Sequence, residues 1–428
     1  MRDRVTRFLS TPSFLRSVGV LSSGTLIGHV ITAGALPVLT RLYEPEAFTV
    51  LAAYTAAMAL VVAIVPLRWE IAIPLPDDDR DAGALAALAG LATIAGCLMV
   101  ALILALSPNL AVGIFGETYA DALAWLLPVG ALAAATYSIL QYWATRKKRF
   151  GTVAMTHATR AASGTATQVG LGAISGSPIG LVVGHAIYSA VGVGSLIRSL
   201  WTRDRDLLRD FRPRLSVARR YWRFPAFSLP ETLLNKAGSE VPILLIAALG
   251  HPGEAGFLLV ASRVMGVPMT LIGRSVSQVF LSEAGDHARA GRLGVVTRTA
   301  TRNLLLVAIP LLGSIGALAP IVFPLVLGEG WADAGTVLLM LTPWYILQLA
   351  TSPVSSVLHA SGRLRLAASL QFVGATMRIG SVLIAALIPF GSLIGAFAVS
   401  SAGYYALYLA VVLVTVSRLS DNPLSERH

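Results

Sequence analysis

The sequence predicts an all-α polytopic membrane protein with twelve transmembrane helices in two pseudo-symmetric six-helix lobes. Three observations predict it: an apolar composition, twelve apolar stretches of helix length, and gaps between them that are alternately rich in Lys and Arg and nearly free of them. Hydrophobic residues make up 55% of the 428 residues and charged residues 13%, with a mean hydropathy of +0.72. A chain with so little polar surface cannot cover a soluble globule, so it belongs in a bilayer.

A membrane-spanning helix needs about 20 mostly apolar residues, and twelve stretches meet that length. The first six are 14–40, 49–67, 84–106, 121–144, 151–174 and 178–198. The second six are 224–248, 254–276, 300–327, 334–358, 366–388 and 391–417. Only a short turn separates the last two helices of each half, so the boundaries are least defined there.

Basic residues concentrate in every second gap. Of the 33 Lys and Arg residues, 27 lie at the termini and in alternate gaps, including RKKR at 146–149 and nine Arg from Arg198 to Arg223. The opposite gaps contain no Lys or Arg apart from Arg41 in RLYEPEAF. Because cytoplasmic loops are enriched in Lys and Arg, we expect both termini to lie in the cytoplasm. We call the cytoplasmic side of this topology the basic side.

Other classes of site are disfavoured by the sequence. The net charge of +11 is spread over many short loops and forms no stripe that a nucleic-acid backbone follows. Cys97 is the one cysteine, which excludes an intramolecular disulfide and a CxxC metal or redox site. No GxxxxGK[ST] loop is present, so we expect no ATPase in this chain. We expect no catalytic residues, no metal and no cofactor, and a first helix that is retained rather than cleaved.

The chain repeats itself at roughly half its length. Pro37 before RLYEPEAF matches Pro242 before LGHPGEAGF, and Arg160, after one basic run, matches Arg378 after another. Because six is an even number, the two halves enter the membrane from the same side, and such transporters bind substrate between the halves. The predicted organisation has three parts: an N-terminal lobe (1–198), a basic cytoplasmic linker (199–223) and a C-terminal lobe (224–428).

Two stretches carry longer motifs. TRLYEPEAF, LRWEIAIPLP and DDDRDA lie within 18–81, and RYWRFPAFSLPETLLNKAGSEVPILLIAALG, ASRVMGVPM and SVSQVFLSEAG lie within 221–285. With the twelve-helix count, the chain resembles the Wzx-type oligosaccharide flippases of the MATE-like multidrug/oligosaccharidyl-lipid/polysaccharide (MOP) exporter superfamily over essentially its whole length. It departs from that pattern at Trp69, where Tyr is expected, and at Thr49, where Gly is usual.

The resemblance implies a V-shaped pair of six-helix lobes around a central cationic cavity that opens alternately to each side. It implies that an undecaprenyl-diphosphate-linked oligosaccharide passes through this cavity from the cytoplasmic to the periplasmic leaflet of a bacterial inner membrane. The partners that fit this role are the lipid-linked glycan, anionic lipids at the basic loops, and polysaccharide polymerase and chain-length machinery. It does not identify the glycan.

Ionisable groups deep inside the predicted helices are the candidate site. Each costs at least a few kcal/mol in apolar surroundings, so it should face a wet cavity or a partner. Arg offers a planar fork to phosphate oxygens. The predicted substrate-binding residues are Arg41, Arg160, Lys236, Arg263, Arg274, Arg378, Asn235 and Gln371. We expect Lys236, Arg263 and Arg378 to line one cavity between the lobes, with Glu231 and Glu240 in coupling or gating.

Structural roles stay open for these residues. Lys236 and Glu240 are spaced i, i+4, so the two charges are able to neutralise each other on one face. Arg41 and Arg274 lie near helix ends, where long side chains reach back to the interface. The other helix arginines are able to pair with buried carboxylates or carbonyls instead of a substrate.

The driving force is open among the membrane potential, H⁺ and Na⁺. The proton-carrying candidates are Glu231, Glu240, His29, His157 and His185, although a lone helix histidine is more often packed than titrating. Moving one negative charge out of a negative cytoplasm gains about 2.3 kcal/mol per 100 mV, so an anionic substrate needs no coupled ion.

Two other functions remain as alternatives. A MATE-type drug/cation antiporter should have an acid-dominated cavity, whereas most of the deep charges here are basic. A polytopic glycan polymerase or ligase should have a large outer loop with catalytic residues, whereas the longest outer gap is 107–120. Both observations favour the flippase.

Overall fold

The computed structural model of the chain describes residues 12–205, 207, 211–289, 293–351, 364–389 and 391–420, whose regular elements are helices. The helices up to residue 220 are α1 Pro12–Gly34, α2 Leu36–Leu42, α3 Pro45–Ile64, α4 Asp79–Leu106, α5 Pro108–Phe115, α6 Ala120–Arg146, α7 Phe150–Ser175, α8 Pro178–Arg203 and α9 Leu215–Arg220. After a π-turn at Phe224–Ser228 they are α10 Leu229–Leu249, α11 Glu254–Arg289, α12 Leu293–Leu327, α13 Ala332–Thr351, α14 Leu364–Leu387 and α15 Leu393–Ser420.

Each predicted apolar stretch coincides with a described helix, so the all-helical membrane fold is confirmed. Eleven helical segments of the described residues are long and apolar enough to cross a membrane. Phe150–Ser175 is also long enough to span but is not among the eleven, because polar residues such as Arg160 and Gln168 lower its hydropathy. The orientation of the termini stays a prediction, and 1–11, 352–363 and 421–428 lie outside the described residues.

Proline and glycine mark several helix ends. Pro45, Pro108 and Pro178 occupy first turns, where a missing N–H costs no hydrogen bond. The first predicted helix is divided between Gly34 and Leu36 because the following Pro37 cannot donate to the helical ladder. Gly176 ends α7 with φ 61°, a left-handed conformation in which glycine has no steric penalty.

The described chain forms two compact units. The first unit is Arg16–Leu259, and the second is Val260–His428 together with Met1–Leu15. The first unit extends past residue 198 because α9 packs on α4 and α10 packs along α3. The division into lobes at 198 and 224 therefore stays a prediction.

Helix α3 lies at the centre of the first unit. It contacts α6, α8 and α10, and its side chains Phe48, Leu51 and Tyr54 are fully buried. The Gly256 N–H at the start of α11 donates to Thr49 Oγ1 over 3.0 Å. A Cβ at Gly256 would collide with the Pro45 carbonyl, so a small residue is required for this approach. Thr49, a departure from the family pattern, therefore satisfies an otherwise unpaired donor of a helix start.

A cap of loop segments covers the basic end of the first unit. Trp143 of α6 packs against Phe211 with ring centroids 4.8 Å apart and donates to Asp204 over 3.0 Å. Arg149 donates two hydrogen bonds to the same carboxylate, over 2.7 and 2.6 Å. This two-bond geometry is the strongest that Arg and a carboxylate form. Parts of the predicted linker are therefore ordered against α6 by both apolar and ionic contacts.

Arg146 holds the segment between α3 and α4. Its Nε donates to Asp79 over 2.9 Å, and its terminal nitrogens donate to the backbone carbonyls of Ile73, Pro76 and Asp77. Lys147 contacts the other oxygen of Asp79 at 2.6 Å. Part of the RKKR run is therefore structural, beyond its effect on topology.

The second unit is built around α13. Helix α12 packs along α13, and α15 packs on both α13 and α14. Trp344 of α13 meets Phe397 of α15 edge to face with centroids 5.2 Å apart. A Cβ at Gly335 would collide with the Ala319 carbonyl of α12, so this glycine permits the close approach of α12 and α13.

Replacing Arg146 by Ala should destabilise the first unit by about 2 kcal/mol, because the Asp79 carboxylate and several backbone carbonyls lose their donor at once. Thermal unfolding of the purified protein in detergent measures the effect. Arg146→Lys should fall between wild type and Arg146→Ala, because the ammonium retains the ion pair but loses the fork. Arg203→Ala, at an exposed position, is the control. Equal melting temperatures for the two Ala variants would contradict the structural role of Arg146.

Candidate functional site

Arg160 lies in the middle of α7, held between two tyrosines. Its guanidinium carbon is 3.7 Å from the ring centroid of Tyr137 in α6 and 4.4 Å from that of Tyr188 in α8. Its Nε donates to the Tyr188 carbonyl over 2.8 Å, and the residue is 8% exposed. The position is ten residues from the start of α7, which is about 15 Å along the helix axis. The two ring faces partly replace the hydration that the cation loses there.

Further aromatic and polar groups surround this stack. His157 meets Tyr137 edge to face, and His185 stacks on Tyr188 with centroids 5.6 Å apart. The hydroxyl of Tyr137 is 2.8 Å from that of Thr156. The two histidines are thus packed against rings, and their assignment to proton coupling stays a prediction.

Gly192 of α8 makes room for the Arg160 stack. A Cβ at Gly192 would lie 2.5 Å from the Tyr137 ring and 2.7 Å from Arg160 Cδ. Such distances are shorter than any real carbon contact, so a side chain there would displace the ring or the guanidinium. Sequence reasoning noted the glycine-rich helices but did not connect Gly192 to Arg160.

Arg378 is buried in the middle of α14 of the second unit. Its Nε donates to the Gly374 carbonyl over 3.0 Å, and its guanidinium carbon is 4.8 Å from the Tyr404 ring centroid. The Tyr404 hydroxyl donates to Gln371 Oε1 over 3.3 Å. The structure therefore brings the predicted residues Gln371 and Arg378 together on one tyrosine. Gly374 again makes room, because a Cβ there would lie 2.4 Å from the Tyr404 ring.

The two arginines have the same kind of environment. In each, Nε donates to a backbone carbonyl. The guanidinium of Arg160 lies against two tyrosine rings, and that of Arg378 lies against one. Among the residues that the structure describes, neither forms an ion pair, and neither has a hydrogen bond from its terminal nitrogens. The terminal N–H donors of each guanidinium are therefore not taken up by another described residue. Such a donor set suits the oxygen atoms of a phosphoryl or carboxylate group.

Lys236 and Glu240 form an ion pair on α10. Lys236 Nζ is 3.4 Å from Glu240 Oε1, and the side chains are 43% and 17% exposed. Ser239 contacts the same oxygen at 3.4 Å. The structure thus shows the i, i+4 ion pair that the sequence left open, while the assignment of Lys236 to substrate binding and of Glu240 to coupling or gating stays a prediction.

The other predicted site residues have less defined surroundings. Arg41 is exposed in the last turn of α2, and Asn235 is exposed on α10. Glu231 and Arg263 are half-buried in α10 and α11. The side chain of Arg274 lies outside the described residues. The cavity predicted for Lys236, Arg263 and Arg378 stays a prediction.

Arg68, Trp69 and Glu70 form a buried cluster after α3 that sequence reasoning missed. Arg68 Nη1 contacts Glu70 Oε1 at 3.1 Å, while Arg68 Nε, Trp69 Nε1 and Glu70 Oε2 are buried without a hydrogen-bond partner. Leu67 and Arg68 have φ of 52° and 61°, a conformation that is strained for residues other than glycine. Burial raises the pKa of Glu70, and this effect outweighs the opposite influence of Arg68.

Comparison with known proteins identifies the family. A family model described as "Polysaccharide biosynthesis protein" matches residues 38–336, which is more than half of the chain. The chain belongs to this family. The matched residues include Arg160 and the Arg68–Glu70 cluster but end before Arg378.

A curated relative is consistent with this family. The teichuronic acid biosynthesis protein TuaB of Bacillus subtilis (strain 168) is 29% identical over 153 residues, an alignment that spans 34% of this chain and 31% of TuaB. The chain thus covers about a third of the length of this curated relative.

Solved structures share the fold. The lipid II flippase MurJ in an inward closed conformation has a TM-score of 0.72 at 14% identity, with 94% of this chain and 90% of MurJ covered. An inward-facing multidrug resistance MATE family transporter of the MOP superfamily has a TM-score of 0.70 at 14% identity, with 94% and 96% covered. The resemblance to the MOP superfamily is therefore confirmed at the level of the fold.

Gly192→Ala should destabilise the first unit by about 1–3 kcal/mol, because the new methyl group displaces the Tyr137 ring from its contact with the Arg160 guanidinium. Gly194→Ala, on the same helix with nothing within 4 Å of its Cβ, is the matched control. Alanine favours a helix over glycine, so the control should gain about 0.5–1 kcal/mol. Chemical unfolding in detergent measures both. A gain in both variants would show that Gly192 does not hold the stack.

Glu70→Gln should change how stability depends on pH. Because the folded pKa of Glu70 is raised, its contribution to stability is present below the ordinary value of 4.5 and is lost as pH rises through the folded pKa. The melting temperature of Glu70→Gln relative to wild type should therefore increase as pH rises from 4.5. Glu117→Gln, at an exposed loop position, should show no such trend. A parallel pH profile for wild type and Glu70→Gln would refute the effect of burial.

Proposed function

We propose that this chain is a flippase that moves an undecaprenyl-diphosphate-linked oligosaccharide from the cytoplasmic to the periplasmic leaflet of a bacterial inner membrane by alternating access. The observation that carries the proposal is the pair of mid-helix guanidiniums, Arg160 and Arg378, which lack a carboxylate partner among the described residues. Each offers its terminal N–H groups to an anion, and the diphosphate is the anionic part of the proposed substrate.

The energetics of burial support an anionic substrate. A cation placed deep in a membrane helix loses its hydration, which costs at least a few kcal/mol. Cation–π contact with tyrosine rings recovers about 2 kcal/mol of this cost at a desolvated site. The hydrogen bond from Nε to a backbone carbonyl recovers a further part. The remaining unfavourable charge is relieved by a negatively charged ligand. An arginine that was present only for packing would not leave its terminal nitrogens without an acceptor.

Family and fold support the lipid-linked cargo. The family to which the chain belongs is described by polysaccharide biosynthesis, and TuaB is described by teichuronic acid biosynthesis. Among the solved structures with the same fold is a flippase of lipid II. We infer that the cargo of this chain is a glycan on a lipid carrier: the family description supports the glycan, and the shared fold with a lipid II flippase supports the lipid carrier.

Outward transport driven by the membrane potential needs no ATP. The inside-negative membrane potential drives an anion outward with about 2.3 kcal/mol per charge and 100 mV. Glu240, one of the two carboxylates predicted to couple an ion, is paired with Lys236, which favours the membrane potential as the source of energy.

The two alternative functions have less support. A drug/cation antiporter needs an acidic group to attract the drug, and Glu240 is engaged by a lysine. A glycan polymerase or ligase needs a catalytic outer loop. In the structure the outer gap 107–120 is largely occupied by α5, which packs on α6 and leaves residues 116–119 as the turn between them.

Arg160→Gln and Arg378→Gln should each slow transport by about ten- to a hundredfold, the loss expected when charge-assisted hydrogen bonds to a phosphate are removed. The assay follows a labelled lipid-linked oligosaccharide from the inner to the outer leaflet of proteoliposomes at a fixed potential. Arg378→Lys should retain part of the rate, because the charge remains and the planar fork is lost.

Arg212→Gln, which removes one exposed arginine of the linker, is the matched control and should transport at the wild-type rate. Melting temperature and monodispersity in detergent test whether each variant is folded. Wild-type transport by both folded Gln variants would refute the function of the stacked arginines. Transport of a cationic dye, with no transport of the lipid-linked glycan, would instead support the antiporter.

A further inference from the structure

A groove lies on the second unit near the start of α12. Its volume is about 290 Å³, and it is lined by Arg298, Thr301, Arg302, Leu305, Leu306 and Ile309 of α12 and by Leu413 of α15. None of these residues belongs to the site around Arg378. The groove combines cationic groups at one end with an apolar wall along the rest of its length.

The cationic end consists of two arginines one helical turn apart. Arg298 and Arg302 are both exposed, and neither forms an ion pair with another residue in the described part of the chain. Arg146 and Arg149 at the basic end of the first unit have a different environment, since they are bound to Asp79 and Asp204. The charges of Arg298 and Arg302 are therefore available to an external anion.

Thr301 provides a second polar group between the two arginines. The residue is 4% exposed, and its buried hydroxyl has no hydrogen-bond partner. Helix threonines usually donate to the carbonyl four residues earlier, as Thr40 and Thr342 do in this chain. The hydroxyls of Thr301 and of Thr297, one turn earlier, have no such partner, and of the two only Thr301 lines the groove.

The whole groove, from its cationic end to its apolar end, has about the length of one membrane leaflet. The distance from Arg298 to Ile309 is about 16 Å at 1.5 Å per residue. The hydrocarbon core of a bilayer is about 30 Å thick, so the groove reaches about halfway across it. Leu306 and Ile309 are 60% and 54% exposed, so this wall faces the surroundings of the helix.

We infer that this groove binds one anionic glycerophospholipid from the leaflet on the basic side. The phosphate lies between Arg298 and Arg302 and accepts a hydrogen bond from Thr301, and one acyl chain follows the leucine and isoleucine side chains towards Ile309. Two guanidiniums favour a headgroup with a net negative charge over a zwitterionic one. The inference concerns a lipid of the surrounding membrane and does not depend on what the chain transports.

Native mass spectrometry of the full chain, exchanged into detergent with phosphatidylglycerol or phosphatidylethanolamine, tests this site. Wild type should retain one phosphatidylglycerol more tightly than phosphatidylethanolamine. The double variant Arg298→Gln/Arg302→Gln should weaken phosphatidylglycerol binding by roughly thirtyfold, since each arginine near a phosphate contributes about a fivefold factor. Arg212→Gln/Arg219→Gln removes the same charge from exposed linker positions and should leave this lipid bound.

Thr301→Val tests the hydroxyl without changing the size of the side chain. It should weaken phosphatidylglycerol binding while the melting temperature of the lipid-free protein is retained, because no protein group loses a partner. Equal losses of lipid in the groove and linker double variants would overturn the inference, since binding would then follow net charge alone. Displacement of the lipid by millimolar inorganic phosphate would also overturn it, because the acyl chain would then contribute nothing.

Discussion

The stacking of a buried guanidinium on tyrosine is the interaction on which the rest of this structure depends. Arg160 could not lie in the middle of α7 without the two ring faces that cover it. Those rings come from α6 and α8, so the charge determines how three helices of the first unit meet. Gly192 then has to be small, because the rings and the arginine occupy the space of a side chain.

Asp79 and Asp204 lie near the ends of helices, whereas Arg160 and Arg378 lie in the middle of theirs. The ion pairs of Asp79 and Asp204 form with Arg146 and Arg149 at the basic ends of helices, where they fasten loop segments. None of the described carboxylates pairs with Arg160 or Arg378. Some peripheral cations are therefore neutralised by the chain's own carboxylates, whereas Arg160 and Arg378 are not paired with a described carboxylate. This separation fits the anionic substrate that we propose.

Much of the fold could be predicted from the sequence, because apolar length and the distribution of Lys and Arg are local signals. The depth of Arg160 and Arg378 followed in the same way from their positions within apolar stretches. Their partners did not, because Tyr137, Tyr188 and Tyr404 lie on other helices and have no characteristic spacing from the arginines. The strained Arg68–Glu70 cluster was missed because positive φ at a residue other than glycine depends on tertiary contacts.

Binding of farnesyl diphosphate, a soluble short-chain prenyl diphosphate, to the purified protein tests the central claim most directly. Isothermal titration calorimetry should show saturable binding that is about tenfold or more weaker in Arg160→Gln and in Arg378→Gln, since each variant loses a charge-assisted contact. Uncharged farnesol should bind wild type and both variants equally. Equal affinity of all three proteins for farnesyl diphosphate would contradict the claim that the stacked guanidiniums bind the diphosphate.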